Sequence, residues 1–562
     1  MQRDTLILIA VSGLTFFVAL GAPAITDSDE AFYAESSREM LESNDWLTPY
    51  FNYTTRFEKP VLYYWMVAAI YSVAGPSPWA ARIPSAFSGL GIVLVAYFLA
   101  RRWYGNTTGL LAGTIIATCF GAIGMARQAL PDLPLAFFVT LSIWAMLVGV
   151  LEQPTGQAET TRSRFWILVV AASAAGAFLV KGPVGIAVPV MVLIPIAIFE
   201  YAMHGKWWRA RATDLILAAA VFSVIALPWY LLMTTEHGLL YLQRFFFAEN
   251  IDRFLTARYN APRSVWYYIP ITFAGLLPWS PFFSLWIPRI GRWWSTRAFS
   301  TRTLRLAIWI SAPLLFYTLS IGKQPRYILP ILVPLAILIS HSLVDEIKTS
   351  TGRNFHFGAC GIVVGLIITA LGASLYRARP ILLEWPDPVT IGFSLAVVCV
   401  GIIIASTAAI STLPTFGQRW KTLVIGLVAF ASIIIAAGSH TVILASPDAS
   451  PVERMASMIK HERSENERYG RHRAFDRNLV YYVGAAHVEL PVLKAVSDFL
   501  ESRDRVLCVL RSEDAEALKQ NGVNFKELGS VTYLNTGSLT FRTLLNPDPD
   551  TYVQRIVLVA NR

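Results

Sequence analysis

Apolar runs free of charge, divided by short polar turns, fill the first 440 positions of the chain. Leu6–Gly21, Leu215–Leu232, Val389–Ser406 and Leu423–Gly438 contain no charged residue. About 20 apolar residues, as a helix, cross the roughly 30 Å hydrocarbon layer of a bilayer. On that rule, spans are expected near residues 5–22, 82–100, 108–126, 131–151, 164–180, 183–202, 213–233, 267–288, 304–320, 327–343, 357–375, 388–411 and 421–440, about thirteen in all. Val61–Gly75 differs: it stops after about 15 residues at Gly75-Pro76-Ser77-Pro78, a length suited to a re-entrant or interfacial helix. Ala22-Pro23-Ala24 would pass as a signal-cleavage site, but the many later runs favour a retained first span.

The polar segments carry patterns of their own. Glu30–Met40 reads as an amphipathic helix behind Asp27-Ser28-Asp29, a cluster suited to an N-cap. Trp266, Tyr267 and Tyr268 suit an interfacial aromatic belt. Past residue 440 charge becomes dense, and β-rich runs stand at Asn478–Val483, Arg505–Leu510 and Gln554–Val559. A helical stretch, Ser512–Gln520, lies between the last two and ends before Gly522. Strands alternating with a helix predict a small α/β domain. The expected plan is an all-α membrane domain over residues 1–440, with outer loops at about 23–81 and 234–266, and an α/β domain over 441–562. That domain has no Gly-rich phosphate loop, and its expected role is a cap or docking surface.

Composition agrees with lipid as the solvent. The 562 residues are 55% hydrophobic and 15% charged, against about 25% charged in soluble domains. The net charge of +10 fits cytoplasmic anchoring and attraction to anionic head groups. No zinc-finger spacing or aromatic–basic module points to nucleic acid. Cys119, Cys360, Cys399 and Cys508 are too scattered for a disulfide framework. If Val61–Gly75 does not cross, then Arg101-Arg102, the loop of Lys206, Arg209 and Arg211, the Arg289–Arg305 loop and Arg419/Lys421 share one side. Those loops lack carboxylates, which marks that side as cytoplasm. The N-terminus then lies inside and the C-terminal domain outside.

The chemistry-bearing residues gather on the other face. They are Asp27, Asp29, Arg56, Glu58 and Lys59 in the first loop, Asp132 after Pro131, Lys181, and Glu249 and Arg253 in the second loop with Arg244. Lys323, Arg326 and Tyr327 complete the set. Charge beside apolar helices is costly unless paired or functional. Lys and Arg suit phosphate, and a carboxylate can act as base or hold an amine. Bland readings stand beside these. Asp27 or Asp29 can cap the loop helix, Asp132 can cap the next span, and Lys181 can mark a helix end. Arg253 can simply pair with Asp252 or Glu249. The histidines show no metal-ligand spacing, although clustered carboxylates can hold a divalent cation.

At these residues the chain resembles the GT-C membrane glycosyltransferases, which use polyprenyl-phosphate sugars. Within them it is most similar to the bacterial aminoarabinose transferases of lipid A. The segments that carry the likeness are Asp27-Ser28-Asp29-Glu30-Ala31-Phe32-Tyr33, Arg56-Phe57-Glu58-Lys59-Pro60, Arg127 through Pro131-Asp132, Lys181-Gly182-Pro183, Phe247-Ala248-Glu249-Asn250 to Arg253-Phe254, and Lys323-Gln324-Pro325-Arg326-Tyr327. The likeness covers roughly residues 1–345 and the overall layout.

The resemblance implies a GT-C type bundle. It makes Asp29, Glu58 and Asp132 catalytic, and gives Lys59, Arg56, Arg244, Lys323, Arg326, Tyr327 and Asp27 to substrate. It implies an undecaprenyl-phosphate sugar donor, a lipid A acceptor, a bacterial inner-membrane location and a periplasmic active face, with no cofactor required. The implied reaction inverts the anomeric carbon. A protein O-mannosyltransferase is the alternative enzyme, and a lipid-linked-sugar flippase is the alternative of another class. A flippase needs charges at the midplane, reachable from both faces in turn. The sequence leaves the oligomeric state open.

Overall fold

The computed structural model describes residues 1–152, 159–204, 212–256, 262–290, 300–348, 355–413, 418–534, 543 and 546–562. The basic loop at Lys206, Arg209 and Arg211, and most of the Arg289–Arg305 loop, lie outside them. Among the described residues, nine helices are long and apolar enough to cross a membrane: Pro78–Tyr104, Asp132–Leu151, Arg164–Lys181, Val184–Met203, Ala212–His237, Pro325–Lys348, Phe355–Arg377, Asp387–Ile410 and Gln418–Leu444. Asn106–Thr118 and Phe120–Ala126 make a tenth if joined across their 57° bend. All ten coincide with expected spans.

Of the other three expected spans, two take other forms and the third is a continuous helix. The first is a short helix, Gln2–Ser12, running into a π-helical turn at Gly13–Phe17. The 267–288 run breaks into Tyr268–Gly275 and a 3₁₀ segment, Ser280–Trp286. Pro278 and Pro281 lack the backbone donors that a continuous helix needs. Thr301–Leu319 is one helix, with Arg302 and Arg305 in its first turns. Val61–Gly75 forms the helix Leu62–Ala74, about 20 Å long at 1.5 Å per residue and too short to cross.

Pro325–Lys348 is the central helix, with 89% of its apolar window buried, whereas Ala212–His237 has 17% buried and presents its apolar surface outward. Phe355–Arg377 and Asp387–Ile410 touch through small residues. A Cβ on Gly365 would stand 2.5 Å from the backbone nitrogen of Ala405. Such close backbone approach lets membrane helices pack without a hydrophobic driving force.

The first polar segment, residues 23–60, is pinned by one buried ion pair. Glu30, with no exposed surface, accepts from Arg82 Nε at 2.8 Å, from the Ala129 amide at 2.9 Å and from Thr26. Arg82 also donates to the carbonyls of Leu20, Pro23 and Ala24. Every polar atom of the pair is therefore used, the condition under which a buried charge is tolerated. Behind it runs the helix Asp29–Ser43, and its N-cap is Ser28, whose hydroxyl accepts from the Glu30 amide. Neither Asp27 nor Asp29 caps it, because each carboxylate has partners elsewhere. A hairpin follows, strands β1 (Tyr50–Phe51) and β2 (Thr54–Thr55). Its turn residues Asn52 and Tyr53 have φ of 53° and 58°, as a tight hairpin turn requires.

The C-terminal sheet has strands β3 (Arg468–Arg471), β4 (Val488–Glu489), β5 (Val506–Arg511), β6 (Lys526–Leu534) and β7 (Val553–Ala560) in the order β4-β3-β5-β7-β6. The β3–β4 and β3–β5 pairs are parallel; β7 is antiparallel to both its neighbours. The runs expected at 505–510 and 554–559 are β5 and β7, and Ser512–Gln520 is a helix. The expected strand Asn478–Val483 is instead a one-turn helix, Leu479–Val483, ended by Gly484 at φ 71°. Its aromatic, β-branched composition favours a strand locally. Packing decides otherwise, because the turn aims Tyr481 at the cluster beneath the first polar segment and Tyr482 at Ile25.

That turn belongs to a docking seam. The Ile25 amide donates to Tyr482 Oη at 2.7 Å, and Asn478 Nδ2 donates to the Ile25 carbonyl at 3.0 Å. Asn52 and the His487 backbone exchange two bonds, at 2.9 and 3.0 Å.

Candidate active site

Helix ends place most of the charge. Asp132 is the first residue of Asp132–Met146, where the helix dipole favours a carboxylate. Lys181 is the last of Glu159–Lys181, where the dipole favours a cation. Gly182 then turns the chain at φ 75°, and a Cβ there would meet the Phe245 ring at 2.5 Å. Arg326 and Tyr327 ride the 3₁₀ turn Pro325–Ile331 at the head of the central helix. Lys59 comes from the loop before Pro60, and Glu249 and Arg253 from the wound segment over residues 243–255.

These residues line one cavity of about 330 Å³. Its charged end holds Lys59, Lys181, Arg253 and Arg326 against Asp132 and Glu249; its walls are apolar, including Val139, Val184, Val188 and Phe316. Lys181 Nζ lies 2.5 Å from Asp132 Oδ1, and Arg326 Nε 3.4 Å from Asp132 Oδ2. Lys59 Nζ lies 3.1 Å and Arg253 Nη2 2.8 Å from the same Glu249 oxygen. Four cations against two carboxylates leave two positive charges at the head of an apolar slot. Asp29 sits just outside, paired with Arg326 and, at 3.2 Å, with Arg477 of the C-terminal domain. Counting Asp29 and Arg477 leaves the surplus unchanged.

Protonation follows from these neighbours. Burial first, then the Arg253 charge, pulls the Lys59 ammonium down to about 8, against the opposing pull of Glu249. Burial pushes the Asp29 carboxyl up, but Arg326, Arg477 and Arg56 outweigh it and hold the group below its ordinary value. Asp29 is thus ionised at neutral pH, and Lys59 is charged there but close to losing its proton.

The expected site residues separate on this geometry. Asp132, Lys59, Arg326 and Tyr327 line the cavity, and Asp29 borders it through Arg326. Arg56, Glu58 and Arg244 line a neighbouring groove of about 420 Å³. Glu58 is turned toward solvent and paired with Arg56 at 2.5 Å, while Lys59 meets only its backbone carbonyl. The carboxylate facing Lys59 is Glu249. Lys323 folds back onto the Ser320 carbonyl, closing the turn before Arg326. Asp27 accepts the amides of Asp476 and Arg477 at 2.9 and 2.6 Å, and so fastens the C-terminal domain. Among the described residues no group of three or more His, Cys, Asp or Glu is placed to hold a metal ion.

Lys181, Glu249 and Arg253 were visible in the sequence as charges beside apolar runs, with a helix end for Lys181 and a local ion pair for Arg253 as the simpler readings. Arg477 carried no signal, since it stands in an unremarked charged stretch.

Residues 20–237 match the family described as dolichyl-phosphate-mannose-protein mannosyltransferase. The undecaprenyl phosphate-alpha-4-amino-4-deoxy-L-arabinose arabinosyl transferase of Pseudomonas aeruginosa (strain UCBPP-PA14) is 34% identical over 391 residues, 68% of each chain. The chain belongs to this arabinosyl transferase family. The member from Enterobacter sp. (strain 638) is 31% identical over 391 residues, 67% of this chain and 68% of its own. The fold of the crystal structure of ArnT from Cupriavidus metallidurans bound to undecaprenyl phosphate matches with a TM-score of 0.74 at 22% identity, covering 99% of this chain and 98% of that one. The archaeal oligosaccharyltransferase AglB from Archaeoglobus fulgidus matches more distantly, with a TM-score of 0.54 at 11% identity over 90% of this chain and 69% of that one. The arabinosyl transferase family thus has the GT-C fold, and this member is a multi-pass membrane glycosyltransferase.

Proposed function

We propose that this enzyme moves 4-amino-4-deoxy-L-arabinose from undecaprenyl phosphate to phosphate groups of lipid A, on the periplasmic face of a bacterial inner membrane. The modification lowers the negative charge of the outer surface and so protects against cationic peptides such as polymyxin. The observation that carries the reading is the cavity itself. A surplus of two positive charges at the head of an apolar slot suits a ligand with a phosphate head and a lipid tail. Asp132, Lys181 and Arg326 stand at helix ends instead of mid-span, which suits an enzyme at one face better than a flippase.

In this reading Lys59, Lys181 and Arg253 hold the carrier phosphate. An oxygen of the acceptor phosphate attacks the anomeric carbon as the bond to the carrier phosphate breaks. The cations then stabilise the charge that gathers on the leaving phosphate, a contribution that grows in a site shielded from water. The acceptor phosphate has a second pKa near 6 and is already ionised, so no general base is needed. Asp29 and Asp132, both tied to Arg326, take the sugar's ammonium in this reading. The displacement inverts the anomeric centre. In the same reading about thirteen crossings, counting the short first helix, the broken 267–288 run and Thr301–Leu319, carry the chain from an inner N-terminus to an outer C-terminal domain.

The test is mass spectrometry of lipid A from cells that lack their own transferase and carry this chain or its Lys59→Ala variant. Aminoarabinose-modified lipid A is expected with the intact chain and not with the variant. Unmodified lipid A despite good membrane expression would overturn the acceptor assignment and move attention to protein hydroxyls.

A further inference from the structure

A second polar cavity, of about 420 Å³, lies between the C-terminal domain and the first outer loop. Arg471, Arg473, Arg477 and Arg511 line it together with the rings of Phe32 and Phe51. Its two acids, Asp476 and Glu489, are both taken by Arg471, at 2.6 and 2.7 Å. Arg473 and Arg511 have no ion-pair partner among the described residues. Instead Arg511 Nε donates to the Arg473 carbonyl at 3.1 Å, which ties the Arg511 side chain to the loop that carries Arg473. Arg477 is the link to the reaction cavity, through its pair with Asp29, which in turn holds Arg326. The Phe32 ring also meets two guanidiniums, Arg56 at 3.8 Å and Arg477 at 4.9 Å from its centre, contacts that help hold both side chains in place.

The loop that carries this cluster is strained. Arg473 and Phe475 have φ of 52° and 48°, a region where residues other than glycine are uncommon. Phe475 is held there by burial and by Tyr533, whose ring centre lies 4.7 Å away. Backbone strain of this kind persists only where the surrounding packing imposes it, and it concentrates at ligand-binding segments.

We propose that this arginine cradle binds a phosphate of the acceptor's head group, so that the C-terminal domain is half of the acceptor site. The inference rests on the acceptor being a phosphorylated lipid. One acceptor phosphate enters the reaction cavity while a second is gripped by Arg473 and Arg511, with Arg477 between them. A head group with two phosphates then binds more tightly than one with a single phosphate, because each charge-assisted contact adds to the other. Two arginines without an ion-pair partner among the described residues, lining one hollow beside two more, suit such a ligand.

The experiment measures binding of lipid A bearing two phosphates or one to the full-length protein in nanodiscs, for the wild type and the Arg473→Gln/Arg511→Gln variant. Transfer and undecaprenyl phosphate binding are measured on the same samples. The wild type is expected to prefer the doubly phosphorylated lipid about tenfold, and the variant to lose that preference while keeping its affinity for undecaprenyl phosphate. Equal binding of both lipids by the wild type, or an unchanged preference in the variant, overturns the cradle. Phosphate-dependent binding lost in the variant, but without sugar transfer in the wild type, supports the cradle and instead overturns the proposed reaction. As a control for folding, Arg473→Lys/Arg511→Lys is expected to recover part of the preference, since charge is kept and only the planar fork is lost.

Discussion

The two ends of the membrane bundle handle charge in opposite ways. Asp132 and Glu152 mark the start and end of the same apolar segment, Asp132–Leu151 and the residue that follows it. At the far end, Glu152 accepts from Arg102 at 2.9 Å, from Arg305 at 2.8 Å and from the Trp103 indole at 2.6 Å. Arg305 completes itself on Glu200 at 2.9 Å. At the near end, Asp132 must be shared by Lys181 and Arg326, Glu249 by Lys59 and Arg253, and a cavity separates the groups. A charge satisfied by its own neighbours makes structure. A surplus of one sign around a hollow makes a binding site, and it costs stability until the ligand arrives.

The contrast can be broken at either end. The largest effect is expected from Glu30→Ala, which strands Arg82 in a dry interior. It should lower unfolding stability by about 3–5 kcal/mol, seen as a lower thermal midpoint in detergent. Arg305→Ala at the far end should destabilise by a similar mechanism yet leave the KM for the donor unchanged; a raised donor KM would show that the far end shapes the site. Lys59→Ala should behave in reverse. Glu249 keeps Arg253 and a cation disfavoured by burial is removed, so the thermal midpoint should hold or rise, while transfer falls on the order of 10²–10³-fold, the loss typical when one stabiliser of a developing anion is removed.

Smaller effects sharpen the comparison. Lys59 loses its proton near pH 8, so affinity for undecaprenyl phosphate should fall as pH rises through that value. Its folded pKa lies below that of a free lysine, so the same residue disfavours the fold at lower pH and is relieved as pH climbs. Donor binding and thermal stability should therefore move in opposite directions between about pH 8 and 10. Lys59→Arg, charged throughout, should flatten the binding profile. The smallest change is expected from Glu58→Gln, since that carboxylate is 43% exposed and paired only with Arg56. Stability should stay within about 0.5 kcal/mol and transfer within about threefold; a hundredfold loss would bring Glu58 back into the reaction.

Much of this was legible along the chain. Apolar runs longer than the bilayer is thick read as spans because their burial depends only on length and hydropathy. The shortness of Val61–Gly75 was legible for the same reason. Charges beside those runs marked the site face, since lipid penalises an unpaired charge wherever the fold puts it. What failed was local preference overruled by packing: Leu479–Val483 has the residues of a strand but docks as a turn of helix. Which carboxylate faces Lys59 was not legible either, since the Glu58 carboxylate turns to Arg56 and Glu249 takes the ammonium.

Sequence by itself determined the membrane class, the ten long spans, the strands β5 and β7 and the face on which Asp29, Lys59, Asp132 and Arg326 lie. Periodicity, length and composition are properties of a segment and its solvent. Only the tertiary structure decided which charges meet. The partnership of Lys59 with Glu249, 190 positions apart, and of Asp29 with Arg477, 448 apart, depends on how loops close over the bundle. A Coulomb interaction acts through distance in space, and distance along the chain does not encode it.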